Sequence, residues 1–422
     1  MQKVLIITYY WPPSSGAGVQ RWLKFSKYLP AFGWEPVILT VDPAFAAYPA
    51  VDKTLVKDIS DGIEIYKTSA TDYFRFYRKD KTRVPSAGFA SSDDAGLKAK
   101  VLRFIRGNFF IPDPRRGWNK YAFRKACELI ESEKIKHIIT TSPPHSTQLV
   151  GMKIKKKYPS VRWIADLRDP WTDIYYYSMF YHTFPAHALD RYLEKKVLAS
   201  ADRIITVGKT LKDLFISKLP SIKGKISVIT NGFDEDDFTG IKAATPERPT
   251  ITYTGTLSDS YPLKGFLDAA EMFIRQGNDL KLRFVGMVSD SQRDIVISKM
   301  GVDKVEFVPH VDHIAAIRFM HETTALLLII PDHPSSKCIL TGKLFEYMAT
   351  GKPIICIGPV DGDAAEIIEA TSSGSSFDYN DPYSISVFFK KALNSDYKKS
   401  PEISEYSRRL LTASLAGVLK ET

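Results

Sequence analysis

The feature that most constrains this chain is a repeated alternation of short apolar runs with helix-length segments. The runs of the first half are KVLIITY (3–9), PVILTV (36–41), KHIITT (136–141), VRWIAD (161–166), RIITVG (203–208) and ISVIT (226–230). Those of the second half are TITYTG (250–255), KLRFVG (281–286), VEFVP (305–309), ALLLII (325–330) and PIICIG (353–358). Strands that are apolar on both faces are typical of parallel sheets covered by helices. The alternation therefore predicts an α/β chain with two doubly wound sheets.

One polar, turn-rich segment separates the two series of runs. Residues 231–249 read NGFDEDDFTGIKAATPERP, a composition typical of a linker. We predict a first domain of residues 1–230, completed by a terminal helix at 403–422, and a second domain of residues 231–402. Ligands of open α/β sheets bind at the carboxyl ends of the strands, so the expected site is a cleft across which the two domains face each other.

The composition places the chain among soluble globular proteins. Of its 422 residues, 44% are hydrophobic and 25% are charged, which are ordinary values. No apolar run reaches the length of about 18 residues that a membrane span needs, and the first residues lack the cleavage site of a secretory signal. Three scattered cysteines, Cys127, Cys338 and Cys356, are too few for a disulfide framework. A cytoplasmic location is therefore expected.

The formal net charge of +10 is concentrated in one segment. Residues 97–125 contain nine Lys or Arg and one Asp, a net charge of +8, which suits phosphorylated ligands, anionic lipid or nucleic acid. Nucleic acid is disfavoured as a partner because no recognised reading motif accompanies the basic residues.

The segment 97–110, LKAKVLRFIRGNFF, predicts an amphipathic helix within this basic region. Its apolar side carries Leu97, Val101, Leu102, Ile105 and Phe109, and its basic side carries Lys100, Arg103 and Arg106. Two interpretations stay open: an ordinary domain helix with a wet face, and a helix that contacts an anionic membrane surface.

Glycines follow the first strand of each series. Gly16 and Gly18 stand between the first strand and the first helix, where glycine lets backbone N–H groups approach an anion. The three-glycine dinucleotide pattern is incomplete because Arg21 holds its third position, and a simple tight turn is the alternative. Gly255 ends the first strand of the second series, and Lys264 follows it. This lysine either holds a diphosphate as a point charge or lies on the surface.

The stretch TGKLFEYMATGKP (341–353) predicts a helix of roughly ten residues that stops at Gly-Lys-Pro. Its first N–H groups, near Leu340, Thr341 and Gly342, are expected to attract phosphate. A P-loop is excluded because Lys337 stands where its first glycine would be. Glu346 follows about one turn further along the helix. A carboxylate beside phosphates is suited to accept hydrogen bonds from the vicinal hydroxyls of a sugar.

Several segments resemble the retaining group 1 glycosyltransferases of family GT4, which have the GT-B fold of two Rossmann-like domains. The segments are YYWPPSSGAGVQR (9–21), SPPHS (142–146), ADLRDPW (165–171), ADRIITVG (201–208), ITNGFD (229–234), YTGTL (253–257) and GKLFEYMATGKPI (342–354). They cover nearly the whole chain in the family's order, and their combination is specific although no single segment is. The resemblance implies transfer of a sugar from a nucleoside-diphosphate-sugar with retention of configuration.

The resemblance also implies a set of donor-binding residues in the chain. With the candidates above, the set is Gly16, Gly18, Gly255, Lys264, Val308, His310, Leu340, Thr341, Gly342 and Glu346. Within it, Glu346 would bind the donor ribose and Lys264 would neutralise the diphosphate. Val308 and His310 would lie along the base. The first domain would then serve the acceptor and the second the donor.

On the acceptor side the resemblance points to His145, Arg168 and Asp169, and the expected catalytic residues are His145, Asp169 and Lys264. Each has a structural alternative. A lone histidine is usually structural, and Arg168 and Asp169 could form a salt bridge that only supports the fold. The position of His145 and of the Arg168–Asp169 pair at strand ends favours a functional role.

Two features bear on the chemistry at the donor. The family often has a glutamate eight positions before Glu346, where this chain has Cys338, so the identity of the sugar stays open. The Asp-x-Asp within DEDD (234–237) follows the turn TNG (230–232) and is interpreted as a solvated acidic turn. We therefore expect no metal ion and no cofactor beyond the donor itself.

The expected function is glycosyl transfer to a hydroxyl of a glycan or lipid-linked acceptor, in the synthesis of a cell-surface polysaccharide or glycan. A lipid-linked acceptor would suit the basic helix and an enzyme peripheral to the inner face of the cytoplasmic membrane. Two alternatives remain: a GT-B-fold sugar-nucleotide epimerase, which needs the same donor site, and a non-catalytic protein that binds a membrane surface.

Overall fold

The chain folds into two compact units, as seen in a computed structural model. The residues that the structure describes are 1–73, 96–241, 244–393 and 401–421. The first unit consists of Met1–Thr230 together with Arg408–Thr422, and the second unit consists of Asn231–Ser407. Each unit has its own sheet and its own apolar core.

The first unit is built on a seven-stranded parallel sheet. Its strands are β1 (Gln2–Ile7), β2 (Trp34–Val41), β3 (Glu64–Thr68), β4 (His137–Ser142), β5 (Arg162–Leu167), β6 (Arg203–Thr206) and β7 (Ile226–Val228). They lie in the order β3-β2-β1-β4-β5-β6-β7. The order reverses between β1 and β4, and open α/β sheets bind their ligands at the carboxyl ends of strands beside such a reversal.

Six helices of the first unit connect these strands. They are α1 (Ala17–Tyr28), α2 (Leu97–Phe109), α3 (Asn119–Ser132), α4 (Ser146–Lys157), α5 (Phe184–Ser200) and α6 (Lys209–Lys218). The sheet contributes to the apolar core of this unit through fully buried residues such as Val4 and Ile6 of β1.

The second unit repeats the plan with a six-stranded parallel sheet. Its strands are β8 (Thr250–Thr254), β9 (Lys281–Val285), β10 (Val305–Val308), β11 (Ala325–Ile329), β12 (Ile354–Ile357) and β13 (Gly374–Phe377), in the order β10-β9-β8-β11-β12-β13. Its helices are α7 (Lys264–Arg275), α8 (Asp290–Met300), α9 (His313–His321), α10 (Gly342–Thr350), α11 (Asp363–Ala370) and α12 (Pro382–Ala392). Here the reversal lies between β8 and β11.

The last helix, α13 (Arg408–Lys420), belongs to the first unit and packs against α1. Leu411, Leu415 and Leu419 recur every fourth residue, lie on one face and join the core that contains Trp22 and Phe25 of α1. In the ranges that the structure describes, no helix has both the length and the apolar character needed to cross a membrane.

The prediction of two doubly wound parallel sheets is confirmed, but two strands were omitted from it. β3 reads EIYKT and β13 reads GSSF, and both lie at a sheet edge. Neither contains the apolar run that marks a central strand. Their strand conformation depends on hydrogen bonding to a neighbouring strand. β3 pairs with β2, and β13 pairs with β12.

Candidate active site

A pocket lies at the carboxyl ends of β1, β4 and β5 in the first unit. Its volume is about 250 Å³, and its walls come from the segments that follow these strands. Gly18 in the first turn of α1, His145 after β4 and Arg168 after β5 all line it. We call this cavity the first-unit pocket. It brings together three residues that the sequence analysis selected from three separate segments.

Gly18 and Arg168 are packed so closely that no side chain fits at position 18. A Cβ atom there would lie 2.2 Å from Nη1 of Arg168. Gly16, two residues earlier, has a φ angle of +114°, which favours glycine. Helix α1 then begins without a side-chain cap and without an acidic residue in its first turn. A guanidinium group beside the positive end of a helix makes this corner of the pocket suitable for an anion.

Arg21, which replaces the third glycine of the dinucleotide pattern, is part of a buried polar network. Its Nη2 atom lies 3.2 Å from Oδ1 of Asp166, and both side chains are fully buried. Nη1 of Arg21 donates a hydrogen bond to the Thr230 carbonyl oxygen, and Trp22 Nε1 donates one of 2.8 Å to Oδ2 of Asp166. Arg168 Nε lies 3.7 Å from the same Oδ2 atom. The network therefore fixes α1 against β5 and helps to orient Arg168.

His145 lies just before α4 and faces the pocket as a neutral ring. It stacks on Trp171 with 4.8 Å between the ring centroids and 15° between the planes. Its exposed fraction is 9%, and within the described part of the chain neither ring nitrogen has a hydrogen-bond partner. Burial, with the charges of Arg168 and Lys218, lowers the pKa of His145 to about 3. The side chain can thus exchange hydrogen bonds with a ligand without carrying charge near neutral pH.

Of two carboxyl groups in this part of the first unit, Asp190 lines the pocket and Asp169 is not among the lining residues. Asp169 follows Arg168 and is half-buried; burial raises its pKa, although the neighbouring guanidinium opposes the rise. Asp190 of α5 lines the pocket and accepts hydrogen bonds from Trp171 Nε1 at 2.7 Å and from Tyr177 Oη at 3.0 Å. Burial raises the pKa of Asp190 to about 6. Asp190 was missed in the sequence because nothing near it marks a motif.

Helix α2 contributes to the pocket through its basic side. The Arg106 guanidinium lies 4.2 Å from the centroid of the Phe180 ring and lines the cavity. Gly107 makes this approach possible, because a Cβ atom there would lie 2.4 Å from the Phe180 carbonyl oxygen. The opposite face is apolar and exposed, with Leu97 at 80% and Phe104 at 40%. The basic side of α2 is divided, since Arg106 lines the pocket while Lys100 is exposed.

In the second unit, the start of α10 forms a second cluster of polar groups. Lys343 Nζ lies 3.0 Å from Tyr253 Oη and 4.1 Å from the centre of the same ring, at the end of β8. A Cβ atom on Gly255, whose φ angle is +106°, would lie 3.1 Å from this Nζ. Thr341, the residue before the helix, has a buried hydroxyl without a partner among the described residues. The helix start, Lys343 and Gly255 thus form one cationic corner, which we call the second-unit site.

Glu346 belongs to the second-unit site and is held by a histidine. His313 Nε2 lies 2.9 Å from Oε1 of Glu346, which leaves the other carboxylate oxygen for a ligand. Burial lowers the pKa of Lys343 to about 7, and the charge of Glu346 partly opposes that shift. Tyr347 anchors the helix to β8, because its hydroxyl accepts a hydrogen bond from the Thr254 N–H at 2.9 Å. Lys343 was missed in the sequence, although its place three residues before Glu346 puts both on one helix face.

The remaining predicted donor residues lie as follows. Lys264 is the first residue of α7; its side chain is 85% exposed and pairs with Asp268 at 2.7 Å. Val308 ends β10, and His310 is exposed two residues later. Leu340 is buried in the core beneath α10. Gly342 begins that helix.

Two positions raised in the sequence analysis have structural contacts. Cys338, at the place of the family's other glutamate, is buried, and its thiol donates to the Ser335 carbonyl oxygen at 3.0 Å. Asp234 of the DEDD turn is buried rather than solvated, and it caps a short helical turn by accepting from the Asp236 N–H. The described residues contain no group of three or more His, Cys, Asp or Glu arranged to hold a metal ion.

Family comparisons identify both units. The model for Glycosyltransferase Family 4 matches residues 18–237, and the model for Glycosyl transferases group 1 matches residues 248–393. The first match alone covers more than half of the chain. A comparison with curated proteins found no match.

Solved structures share the fold over the whole chain. A glycosyltransferase from Rickettsia africae is 15% identical with a TM-score of 0.63, covering 100% of this chain and 99% of its own. Anabaena HepE, in complex with UDP and glucose, is 14% identical with a TM-score of 0.62 and full coverage of both chains, 100% each. A putative UDP-N-acetylglucosamine 2-epimerase from Listeria monocytogenes is 11% identical with a TM-score of 0.56, covering 100% of this chain and 97% of its own. The likeness confirms the predicted GT-B fold of two Rossmann-like domains.

Proposed function

The chain belongs to the group 1 glycosyltransferases, and from this premise we propose that it transfers a hexosyl or related sugar from a nucleoside-diphosphate-sugar to a hydroxyl. The acceptor is a glycan or a lipid-linked glycan precursor in the synthesis of a cell-surface polysaccharide. Transfer proceeds with retention, as in family GT4, at the cytoplasmic face of a membrane. The donor half of this proposal rests on the second-unit site, where Lys343 and Glu346 lie in the first two turns of α10.

The second-unit site suits a sugar nucleotide for electrostatic reasons. Cleavage of the glycosidic bond leaves a nucleoside diphosphate on which negative charge grows. Preorganised cations and N–H groups stabilise such charge most when they already point at the place where it develops. We assign this task to Lys343 and to the N–H groups at the start of α10, with Lys264 as a further cation. This arrangement supplies the positive charge from the protein's own groups, so the transfer needs no metal ion.

Glu346 serves the sugar of the nucleotide. A carboxylate accepts two hydrogen bonds from vicinal hydroxyls, and ribose presents such a pair. His313, at 2.9 Å from one carboxylate oxygen, restricts the Glu346 side chain and holds the other oxygen for the ribose. The bond to His313 supports the proposal because a preorganised carboxylate loses less side-chain entropy on binding.

The test is nucleotide binding and sugar transfer by the purified chain. Uridine, guanosine and adenosine diphosphates are compared by thermal shift, where a hundredfold excess over Kd stabilises by about 2.7 kcal/mol. The matching nucleotide-sugar is then assayed for release of nucleoside diphosphate, with and without a lipid-linked acceptor. We expect Glu346→Ala to abolish both the shift and the release, and Glu369→Ala, an exposed carboxylate on α11, to leave them intact.

Two outcomes would count against the proposal. If none of the three nucleotides stabilises the chain, the donor assignment is wrong. If UDP-N-acetylglucosamine is converted to its 2-epimer without an acceptor, the sugar-nucleotide epimerase is the correct alternative.

A further inference from the structure

The first-unit pocket contains three arginines that the donor chemistry does not use. Arg106 comes from α2, Arg115 from the helical turn Pro114–Trp118, and Arg168 from the end of β5. Arg168 is distant in the sequence from Arg106 and Arg115, and the fold brings all three to one cavity. Asp166 lies 3.7 Å from Arg168 Nε, and Asp113 also lines the cavity. An anion bound between the guanidinium groups would further reduce their mutual repulsion.

Tyr10 lies in the same cavity as the three arginines and contacts one of them. The centre of the Arg115 guanidinium lies 5.5 Å from the Tyr10 ring centroid, and Tyr10 lines the same cavity. Burial raises the pKa of Tyr10, and the charges of Arg115, Arg106 and Arg168 all oppose that rise. The pKa of Arg106 is itself lowered to about 10, first by burial and then by the charge of Arg115. The charges of Arg106 and Arg115 therefore interact within the cavity.

The carboxylates of the pocket are already engaged with the protein. Asp113 accepts hydrogen bonds from the Arg115 N–H at 2.9 Å and from the Ser146 N–H at 2.8 Å. Asp190 accepts from Trp171 and Tyr177, as described above. In the part of the chain that the structure describes, neither carboxylate forms a salt bridge with Arg106. These hydrogen bonds hold the walls of the pocket, and the charge of Asp113 also acts on Arg115.

A buried, unsatisfied group points independently to a ligand. His145 is buried, with an exposed fraction of 9%. Both of its ring nitrogens lack a hydrogen-bond partner within the described residues. Buried polar atoms in folded proteins are almost always satisfied. A bound molecule that offers a hydroxyl or a phosphoryl oxygen would satisfy one or both nitrogens.

We propose that the first-unit pocket binds a phosphoryl group of the acceptor, with Arg106, Arg115 and Arg168 as its cations and His145 as a neutral hydrogen-bond partner. Guanidinium forks match phosphate oxygens better than any other side chain does. The inference rests on the proposed function in one respect, because it names the acceptor of that transfer as a phosphate or diphosphate ester. The phosphoryl group can come from a water-soluble sugar phosphate or from an isoprenyl phosphate.

The orientation of α2 bears on the source of the phosphate. One face of this helix presents Arg106 to the cavity, and the other exposes Leu97, Val101 and Phe104. A helix that is apolar outside and basic inside can lie against lipid while its arginine reaches a headgroup phosphate. This arrangement favours the isoprenyl phosphate.

The test uses the full chain with UDP present at saturation, so that the donor groups are occupied. Inorganic pyrophosphate and isoprenyl diphosphate in detergent micelles are titrated separately, with isoprenol as the uncharged control. Binding is followed by tryptophan fluorescence, because Trp171 lines the pocket and all six tryptophans lie at or before position 171. The variants are Arg106→Gln, Arg168→Gln and the matched control Arg124→Gln, an exposed arginine on α3.

We expect both pocket variants to weaken binding of the diphosphate by about tenfold or more, while Arg124→Gln binds like the unchanged protein. Tighter binding of isoprenyl diphosphate than of pyrophosphate assigns the phosphate to a lipid-linked acceptor, and equal binding assigns it to a soluble one. The inference is overturned if the pocket variants bind as Arg124→Gln does, or if isoprenol binds as well as its diphosphate.

Failure of this inference can be told apart from failure of the proposed function. The affinities for uridine, guanosine and adenosine diphosphates, measured separately by calorimetry, report on the donor assignment alone. If none of the three binds while pyrophosphate binding depends on the arginines, the donor proposal is removed and the phosphate pocket is kept. If a nucleotide binds but pyrophosphate binding does not depend on the arginines, the phosphate-pocket proposal is removed and the proposed transferase function is kept.

Discussion

At the scale of single residues, the two candidate regions use charge in opposite ways. The second-unit site concentrates its cation in one lysine whose ammonium group is partly deprotonated near neutral pH, because burial lowers its pKa to about 7. The first-unit pocket instead uses guanidinium groups, which keep their charge over the physiological range, around a histidine that stays neutral. Donor binding should therefore weaken as Lys343 loses its proton. In the first-unit pocket the arginines keep their charge, and Asp190, whose pKa burial raises to about 6, becomes negatively charged as the pH rises through that value.

The first prediction follows from the lysine. Lys343 is charged below its pKa, so the affinity for UDP-glucose, or for whichever nucleotide-sugar binds, should fall as the pH rises from 6 to 8. The fall should be about tenfold, because free Lys343 has a pKa of about 7 and must regain its proton at pH 8 to pair with the diphosphate. Lys343→Ala should bind about tenfold more weakly at pH 6 and should lose the pH dependence. Isothermal titration calorimetry at several pH values measures both effects.

The control for this prediction is Lys390→Ala, which removes an exposed lysine of α12. It should keep both the affinity and the pH dependence of the unchanged protein. If Lys264→Ala removes the pH dependence of donor affinity and Lys343→Ala does not, Lys343 is not the cation that holds the diphosphate.

At the scale of secondary-structure elements, the start of α1 depends on the absence of a side chain. A methyl group at position 18 would lie 2.2 Å from Nη1 of Arg168, so Gly18→Ala must displace the guanidinium. We expect transfer to fall by about tenfold or more while the sheet remains folded. Transfer rates and circular dichroism of the variant measure the two parts of this expectation.

Gly224→Ala is the matched control for Gly18→Ala. A Cβ atom at position 224 would meet no atom within 4 Å, and this glycine lies in the same unit. Its transfer rate should equal that of the unchanged protein. Full activity of Gly18→Ala would show that the position of Arg168 does not matter for transfer.

The exposed face of α2 leads to a prediction on membrane contact. The double variant Leu97→Ser with Phe104→Ser removes apolar area that faces away from the pocket, where the two side chains are 80% and 40% exposed. It should reduce flotation with vesicles that contain anionic lipid, because interfacial binding scales with the apolar area inserted. Flotation on a density gradient at low and at high salt measures the effect.

Val56→Ser serves as the control for the α2 variant, since Val56 is 46% exposed elsewhere in the first unit. It should float as the unchanged protein does. If the unchanged protein does not float at low salt, α2 does not contact lipid and the peripheral-membrane part of the proposal is removed.

At the scale of the whole molecule, the last segment of the chain completes the unit with which the chain begins. Leu415 of α13 is fully buried in the core of the first unit, among Trp22, Phe25 and Leu29. Leu415→Ala should lower the free energy of unfolding of this unit by about 2–5 kcal/mol, as expected for a buried leucine. Urea unfolding followed by tryptophan fluorescence reports on this unit, because it contains all six tryptophans.

Leu410→Ala is the matched control on the same helix, since Leu410 is 49% exposed. Its unfolding midpoint should lie within experimental error of that of the unchanged protein. Equal midpoints for Leu415→Ala and the unchanged protein would mean that α13 does not contribute to the stability of the first unit.

The sequence by itself determined the fold class and part of the candidate site. Central strands such as β1 and β8 are local apolar runs, and their alternation with helices is sufficient to predict two doubly wound sheets. Glu346 was found because it follows a helix start in an apolar stretch. The edge strands β3 and β13 could not be found this way, because their polar residues adopt strand conformation only through pairing with a neighbour.

Only the tertiary structure decided which charged residues meet. Arg106 reaches the cavity that Arg115 and Arg168 also line because Gly107 allows α2 to turn its basic side against Phe180. A helical wheel shows that two faces differ, but it does not show which face the rest of the protein covers. That choice depends on contacts between segments distant in the chain, and the burial that lowers the pKa of Lys343 and His145 depends on the same contacts.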